Sequence, residues 1–240
     1  MPELLASLKD GRVLAFNANF STARDATNGS SFQNTSATDA FAVRCEAASF
    51  RGSTSFFVAR AFFEFDTSGI SATPTDATLK LYGQTNTSAD FFVVKASFAD
   101  GATISFSHFD AIDGWSAGAD NSSNVTKYSS EVTSFSTGQY NNITLNSTAL
   151  SDMTNNDTFK ICLIEADFDL PNTAPSDTTL RRTGMSFAND GSGNIRDPKI
   201  DYTEGSAVGY GHQVISVAAG SIGKVKSVAT ANIGKINTVD

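Results

Sequence analysis

Two histidines, His108 and His212, are the only imidazoles in the chain, so a general base working near neutral pH has few places to sit. His212 falls beside a repetitive C-terminal stretch, where a base would be poorly held. A Ser-His-Asp arrangement around His108 stays open, because triads are spatial rather than sequential. Ser and Asp are so abundant here, however, that their nearness in sequence carries little weight. No nucleophile elbow, P-loop, HExxH or EF-hand pattern occurs. The expectation is a protein with no catalytic residues, no metal and no cofactor.

Three other constellations have the right residue types for binding. Glu64 and Asp66 share one face of a strand-like run, as two hard oxygen donors for calcium would; the plainer reading is a solvated strand face with Arg60 as ion-pair partner. Trp115, Tyr128 and Tyr140, with His108, supply aromatic faces for stacking on a sugar. Trp115 sits in the loop-like Asp110-Ala111-Ile112-Asp113-Gly114-Trp115, and loops carry binding in sandwiches. Its alternative is to plug the sandwich or a long loop. Cys45 and Cys162 lie in apolar, strand-like runs and read as buried thiols ahead of a disulfide; with no CxxC or Cys/His cluster, a zinc site is not expected. Asn-x-Ser/Thr sequons, among them those at Asn28, Asn34, Asn86, Asn121, Asn124, Asn142, Asn146 and Asn156, read as polar loop and turn chemistry.

The elements that must hold these residues are strands. Phe56 to Asp66 places Phe57, Ala59, Ala61, Phe63 and Phe65 on one face and Arg60, Glu64 and Asp66 on the other, the period of two of a half-buried strand. Further strands are predicted at Arg12 to Phe16, Ala40 to Glu46, Ala77 to Tyr82, Phe91 to Phe98, Ile143 to Leu145, Thr158 to Glu165, Met185 to Phe187 and Lys199 to Tyr202. Ser21 to Asp39 reads as a long polar loop, and Ser147 to Met153 as one short helix capped by Asn146 or Ser147. Phe57, Phe63, Phe65, Leu79 and Leu81 are the predicted core.

Composition agrees with this pattern. Of 240 residues 40% are hydrophobic and only 18% charged, and 30 Ser, 26 Thr and 17 Asn take the place of the missing charge. β-branched and aromatic side chains suit strands, and Asn, Ser, Gly and Asp suit turns. The net charge of −8 opposes nucleic-acid binding, which needs a basic surface, and no stretch has the apolar length of a membrane span. Met1 to Asp10 lacks the basic start and apolar run of a signal peptide. A β protein of extracellular-type composition without an export signal fits a phage protein, made in the cytoplasm and released by lysis.

Beyond Tyr202 the composition changes. Residues 204–211 form a Gly-rich linker, and an 11-residue repeat follows. Val214-Ile215-Ser216-Val217-Ala218-Ala219-Gly220-Ser221-Ile222-Gly223-Lys224 aligns with Val225-Lys226-Ser227-Val228-Ala229-Thr230-Ala231-Asn232-Ile233-Gly234-Lys235, and a third copy begins at Ile236. The apolar set Val214, Val217, Ile222, Val225, Val228, Ile233, Ile236 and Val239 marks the assembly positions. Eleven residues fit three helical turns of a right-handed bundle. The glycines and dense β-branching favour an extended segment instead, and both readings stand.

Arg60-Ala61-Phe62-Phe63-Glu64-Phe65-Asp66-Thr67-Ser68-Gly69-Ile70, followed by Asp76-Ala77-Thr78-Leu79-Lys80-Leu81-Tyr82, resembles the DNRLRE-type domain. Arg196-Asp197-Pro198-Lys199-Ile200-Asp201-Tyr202 is similar to that family's terminal strand, with one residue inserted after the arginine. This resemblance implies a jelly-roll β-sandwich related to carbohydrate-binding modules. The C-terminal repeat resembles the repeats of marine bacteriophage structural proteins. Together they imply an all-β chain with a short N-terminal segment (1–11), a jelly-roll sandwich (12–203), the linker and an assembly or anchoring tail (212–240). The expected function is that of a non-enzymatic virion component, a capsid-surface fibre, decoration or tail protein. Its expected partners are other virion proteins and further copies of itself, a trimer being favoured, with a cell-surface glycan as an additional ligand. The alternative is a secreted or cell-surface carbohydrate-binding module.

Overall fold

The computed structural model describes residues 2–34, 38–50, 52–188, 195–206, 224–225 and 228–229. The chain is all-β. Its strands are β1 (Glu3–Leu5), β2 (Gly11–Asn17), β3 (Ser31–Gln33), β4 (Thr38–Phe50), β5 (Ser53–Asp66), β6 (Asp76–Thr87), β7 (Phe91–Lys95), β8 (Tyr140–Thr144), β9 (Thr158–Glu165), β10 (Arg182–Ser186) and β11 (Lys199–Thr203). These eleven join in one antiparallel network, ordered β1-β11-β6-β10-β4-β5-β2-β3, with β8 on β6, β9 on β5 and β7 on β9. Two short helices interrupt it, α1 (Phe20–Arg24) and α2 (Ser147–Asn155). A separate two-stranded pair, β12 (Lys224–Val225) against β13 (Val228–Ala229), lies in the repeat.

β6 connects the two halves of the network. Its first half, Asp76 to Tyr82, pairs with β11 and β8, while Gly83 to Thr87 pairs with β10. Leu79, Leu81, Ile143 and Ile200 from one half then meet Phe63, Phe65, Val93, Ile161 and Met185 from the other in a single buried cluster, an arrangement consistent with a β-sandwich. The side of β5, β7 and β9 that faces away from this cluster is also buried. Val58, Phe62, Val94, Cys162 and Ile164 form a second core with Phe20, Phe98, Ile104, Phe109 and Ile112 from the covering segments.

This second core corrects the expected solvated face of β5. Arg60 is fully buried and Glu64 nearly so; of the three polar residues on that face only Asp66 is exposed. Strands covered on both sides read as near-continuous apolar runs, and the sequence from Phe56 to Phe65 is one, interrupted by Arg60 and Glu64. Phe57 departs from the expected core: it is half-buried, stacked on Phe16 at 5.7 Å, with the Arg44 guanidinium 4.1 Å above its ring. Phe63, Phe65, Leu79 and Leu81 are fully buried, as predicted.

The other differences are local. The segment read as a polar loop contains α1, capped by the Asn19 side chain, and β3. Glu3 to Leu5 pair with β11, so the sheet starts before the expected residue 12. The predicted helix is α2, and its cap is Asn146, whose side chain accepts the Ala149 N–H at 3.1 Å. Cys45 and Cys162 are buried free thiols, and burial pushes both well above the ordinary thiol range.

Asp10, just before β2, is 1% exposed. Its Oδ2 accepts the Ala188 N–H at 2.8 Å, and its Oδ1 has no hydrogen-bond partner among the described residues. Burial, helped by the nearby Asp197 and opposed by the Ala188 N–H, pushes its carboxyl from 3.8 up to about 8. The folded state therefore holds a proton that the unfolded chain releases near pH 4. That contribution is complete below the unfolded value and is lost as pH rises through about 8. Inside the window the slope approaches about 1.4 kcal/mol per pH unit. Asp10→Asn keeps an acceptor for Ala188 and carries no charge. Its urea midpoint should match the wild type below about pH 4 and exceed it at pH 8; equal pH slopes for the two proteins would rule this account out.

Candidate functional site

Arg60 cannot be buried on β5 without a counter-charge. Asp169, also fully buried, supplies it: its carboxylate accepts from Arg60 Nε at 2.8 Å and Nη2 at 2.7 Å, a bidentate pair. Arg60 also donates to the carbonyls of Phe109 (2.8 Å) and Arg24 (3.2 Å), and its guanidinium lies 4.3 Å from the Phe109 ring centroid and 3.9 Å from that of Trp115. Arg24, equally buried, stacks on Trp115 at 4.3 Å, pairs with Asp25 and donates to the Asp169, Ala119 and Leu170 carbonyls. Glu165 fixes the turn that carries Asp169, accepting the backbone N–H groups of Asp167, Phe168 and Asp169. Burial still pushes its carboxyl up to about 8 against those three bonds. This network ties α1, the loop around Trp115 and the turn after β9 to the outer side of β5. Its atoms are spent on one another, so its role is to hold the loop.

The held loop forms one wall of a cleft of about 460 Å³. Lys95 ends β7, and the segment after it folds back so that the Asp113 N–H donates to the Lys95 carbonyl at 3.0 Å. Gly114 makes the turn between Asp113 and Trp115 with φ +79°; a Cβ there would stand 2.2 Å from the Asn124 carbonyl oxygen. The buried Asn121 holds the same loop through both faces of its amide, accepting from the Ser116 N–H and donating to the Ser116 carbonyl.

The opposite wall is the end of α2, with Asp152, Asn155 and Asn156, and the start of β9, with Thr158 and Lys160. Tyr128 and Phe159, ring centroids 4.9 Å apart, close the floor. Asp152 Oδ2 accepts from Lys95 Nζ at 2.9 Å and from the Tyr128 hydroxyl at 2.5 Å, and burial with that carboxylate beside it holds the phenol protonated. Lys160 Nζ donates to Asp100 at 2.7 Å and to the Phe98 carbonyl at 2.6 Å. Asp113 accepts from the Thr126 hydroxyl at 3.0 Å. Both walls thus present paired charges and amides in fixed positions on strand and helix ends.

The sequence-predicted site residues do not assemble as expected. Trp115 is half-buried against the second core, with its Nε1 buried and lacking an acceptor among the described residues. Tyr128 is 1% exposed in the first core. Tyr140, on β8, packs edge-on to Tyr82 and donates its hydroxyl toward the Ile195 and Asp197 carbonyls. One stacking platform of Trp115, Tyr128 and Tyr140 is therefore corrected to three separate placements: indole and phenol were taken up by packing and buried hydrogen bonds.

His108 closes a local turn. Its Nδ1 accepts the Ser105 N–H at 3.1 Å and lies 3.1 Å from the Ser105 hydroxyl, its ring packs on Phe98, and among the described residues no carboxylate hydrogen-bonds it. Glu64 accepts the Gly101 N–H at 2.7 Å rather than pairing with Arg60, and Asp66 accepts from Ser68. Among the described residues no group of three His, Cys, Asp or Glu side chains is placed to hold a metal. Several sequon amides serve caps and turns: Asn146 caps α2, Asn121 holds its loop, and Asn86 Nδ2 donates to the Phe135 carbonyl at 2.6 Å. His212 and six of the assembly positions, Val214, Val217, Ile222, Ile233, Ile236 and Val239, lie outside the described residues; the backbones of Val225 and Val228 face one another in β12 and β13.

Lys95, Asp100, Asp113, Asp152 and Lys160 escaped the sequence reading because they are scattered over 66 positions and match no motif. The signal available was indirect: two lysines at the ends of apolar strands, each needing a carboxylate. No family model and no curated protein matches the chain.

Proposed function

We propose that this chain is a non-catalytic structural protein of a bacteriophage virion, a capsid-surface fibre, decoration or tail-associated component. Its body is a jelly-roll of the DNRLRE type, displayed on the particle and assembled or anchored through residues 212–240. The observation that carries this reading is the 11-residue repeat with Val or Ile at its first, fourth and ninth positions. So short a segment cannot bury those side chains by itself, and an apolar repeat left free is an aggregation hazard. Eight such side chains, at about 1.5 kcal/mol each, supply on the order of 10 kcal/mol before ordering costs. The small residues between them (Ala218, Ala219, Gly220, Gly223, Ala229, Ala231 and Gly234) let chains approach closely. A homotrimer suits a fibre-like part. Antiparallel pairing of β12 with β13 favours extended chain over helix at those four residues.

The second reading, a secreted or cell-surface carbohydrate-binding module, draws support from the polar cleft. The tail separates the two, because a free-standing glycan module has no use for an apolar repeat. Deleting residues 212–240 should leave a folded body that is monomeric by light scattering and missing from purified particles by mass spectrometry. A truncated chain that keeps the oligomeric state of the full one, and still enters particles, would refute the assembly role.

A further inference from the structure

Strand β8 is an edge whose outer side is open. Among the described residues it pairs with β6 alone, and the Leu145 N–H, donated to the Ala77 carbonyl at 3.0 Å, fixes the alternation of that ladder. Ile143 and Leu145 turn their backbone groups toward β6, so Asn142 and Thr144 turn theirs away from it. Among the described residues nothing bonds to the backbone of either on that outer side. An unpaired edge is a template for a further strand, and proteins guard against this with short edge strands, lysine or proline. β1 and β3, at the two ends of the main strand order, have three residues each. β8 has five, Tyr-Asn-Asn-Ile-Thr, with neither lysine nor proline.

We infer that this edge takes residues 214–217, from the C-terminal repeat of a second copy of the chain, as an added strand. The inference rests on the assembly role proposed for the tail and gives that tail its docking surface. A cleft of about 460 Å³ separates residues 142–146 from residues 129–134. The latter segment cannot swing across to close it, because Val132 exchanges both backbone hydrogen bonds with Phe91 on β7, at 2.8 and 3.2 Å. Ile143, Leu145 and Val132 make an apolar floor, while Asn142, Thr144 and Glu131 stand exposed at the rim. Residues 142–145 offer about 13 Å of edge, the length of a four-residue strand. Val214-Ile215-Ser216-Val217 is β-branched at three of its four positions. Laid along the edge, Ile215 and Val217 fall on the floor side and Ser216 beside the rim. In the second copy of the repeat Lys226 replaces Ile215, and Val225 and Val228 already face one another in β12 and β13. Charge agrees with the docking: residues 212–240 carry Lys224, Lys226 and Lys235 against a single acidic side chain, Asp240, in a chain of net charge −8.

The donor is a neighbour rather than the chain's own tail. After β11 the chain runs beside residues 72–75: the Thr203 carbonyl accepts the Thr75 N–H at 3.0 Å, and a Cβ on Gly205 would stand 2.0 Å from the Thr73 carbonyl oxygen. This exit lies across β6 from β8. The end of β8 nearest to it is closed, since the Asn146 N–H donates to the Tyr128 carbonyl at 2.8 Å and the Asn146 side chain to the Lys127 carbonyl at 2.8 Å. A separate molecule approaches through the open face of the cleft instead.

The test uses the full chain. Thr144→Pro removes an N–H that the body itself leaves unused, and an edge strand tolerates proline at such a place. It should leave the thermal midpoint unchanged at concentrations where the protein is monomeric, and raise the concentration at which multimers form at least tenfold by light scattering. Thr144→Cys in one preparation and Ser216→Cys in another should give a disulfide-linked heterodimer when the two are mixed and oxidised, since the native Cys45 and Cys162 are buried. If Thr144→Pro destabilises the body, the cross-link decides. Undiminished multimers of a folded Thr144→Pro variant, absence of the heterodimer, or a link that forms only within single chains of the double variant overturns the inference. Failure of the assembly reading is distinct: a chain lacking residues 212–240 that keeps its oligomeric state sinks that reading, whereas a monomeric truncation beside a multimeric Thr144→Pro variant sinks the β8 edge alone.

Discussion

Phe63→Ala should lower the unfolding free energy by about 3–5 kcal/mol, read as a fall in the urea midpoint with an unchanged slope. Phe63 is fully buried in the first core, with its ring 5.5 Å from that of Phe187. It sits on β5, which pairs with β2 over Phe56 to Phe62, with β4 over Ser53 to Ala59 and with β9 over Ala61 to Asp66. A strand held along both edges cannot shift to fill the space, so the cavity persists and its cost adds to the lost burial. Phe57→Ala is the internal control: the same residue type two turns of the pleat and more away, half-buried at the end of the shared face, should cost clearly less. Equal midpoints for Phe63→Ala and the wild type would mean that the inward face of β5 has been misassigned.

Period-two alternation made the strands legible, because it reports which residues alternate between two environments. It could not report that both environments are buried. In β5 the even positions Val58, Phe62 and the odd positions Phe57, Phe63 and Phe65 are equally apolar, and the charges of Arg60 and Glu64 suggested solvent where the fold has a second core. The apolar partners of that core come from the covering segment, Phe98, Ile104, Phe109 and Ile112, whose one regular element is the single 3-10 turn Phe106–His108 and which therefore shows no periodicity. The cap of α2 was legible because an Asn before a helix has a local job. α1 was not, being a five-residue helix in a polar stretch, whose Phe20 and Ala23 gain their burial from tertiary packing.

The site divides the same way. Aromatic residues have the faces that sugar platforms need, yet Trp115 and Tyr128 pack inward, one under two guanidiniums and one in the first core. The polar groups that do line a cleft are held there by pairings between β7, α2 and β9, and such pairings are set by topology rather than by spacing along the chain. For the buried network the local clue was charge inside an apolar run: an Arg within Phe-Phe-Val-Ala-Arg-Ala-Phe-Phe must find a carboxylate or unfold its surroundings.

Asp169→Ala tests that last statement, and its expected cost is also about 3–5 kcal/mol, the usual penalty for leaving a buried charge uncompensated. The substitution removes both acceptors of the Arg60 fork and leaves Arg60 and Arg24 side by side, with Asp25 as the remaining carboxylate on Arg24. Two buried guanidiniums over one indole then repel each other in a medium that screens poorly. The loop bearing Trp115 is the part able to move, so water should enter there first. The chain has a single Trp, and its emission should shift to the red in the variant under conditions where the β-sheet circular dichroism is still native. A double variant, Arg60→Met with Asp169→Leu, removes charge and counter-charge together and should recover most of the lost stability, because the pair's attraction largely repays its own desolvation. If Asp169→Ala stays within about 1 kcal/mol of the wild type, the range of an exposed ion pair, or if the double variant is no better than the single one, the network is not what holds the loop. The cleft would then lose its account of why Asp113 and Asp100 stand where they do, since both project from the segment that this buried pair pins to the sheet.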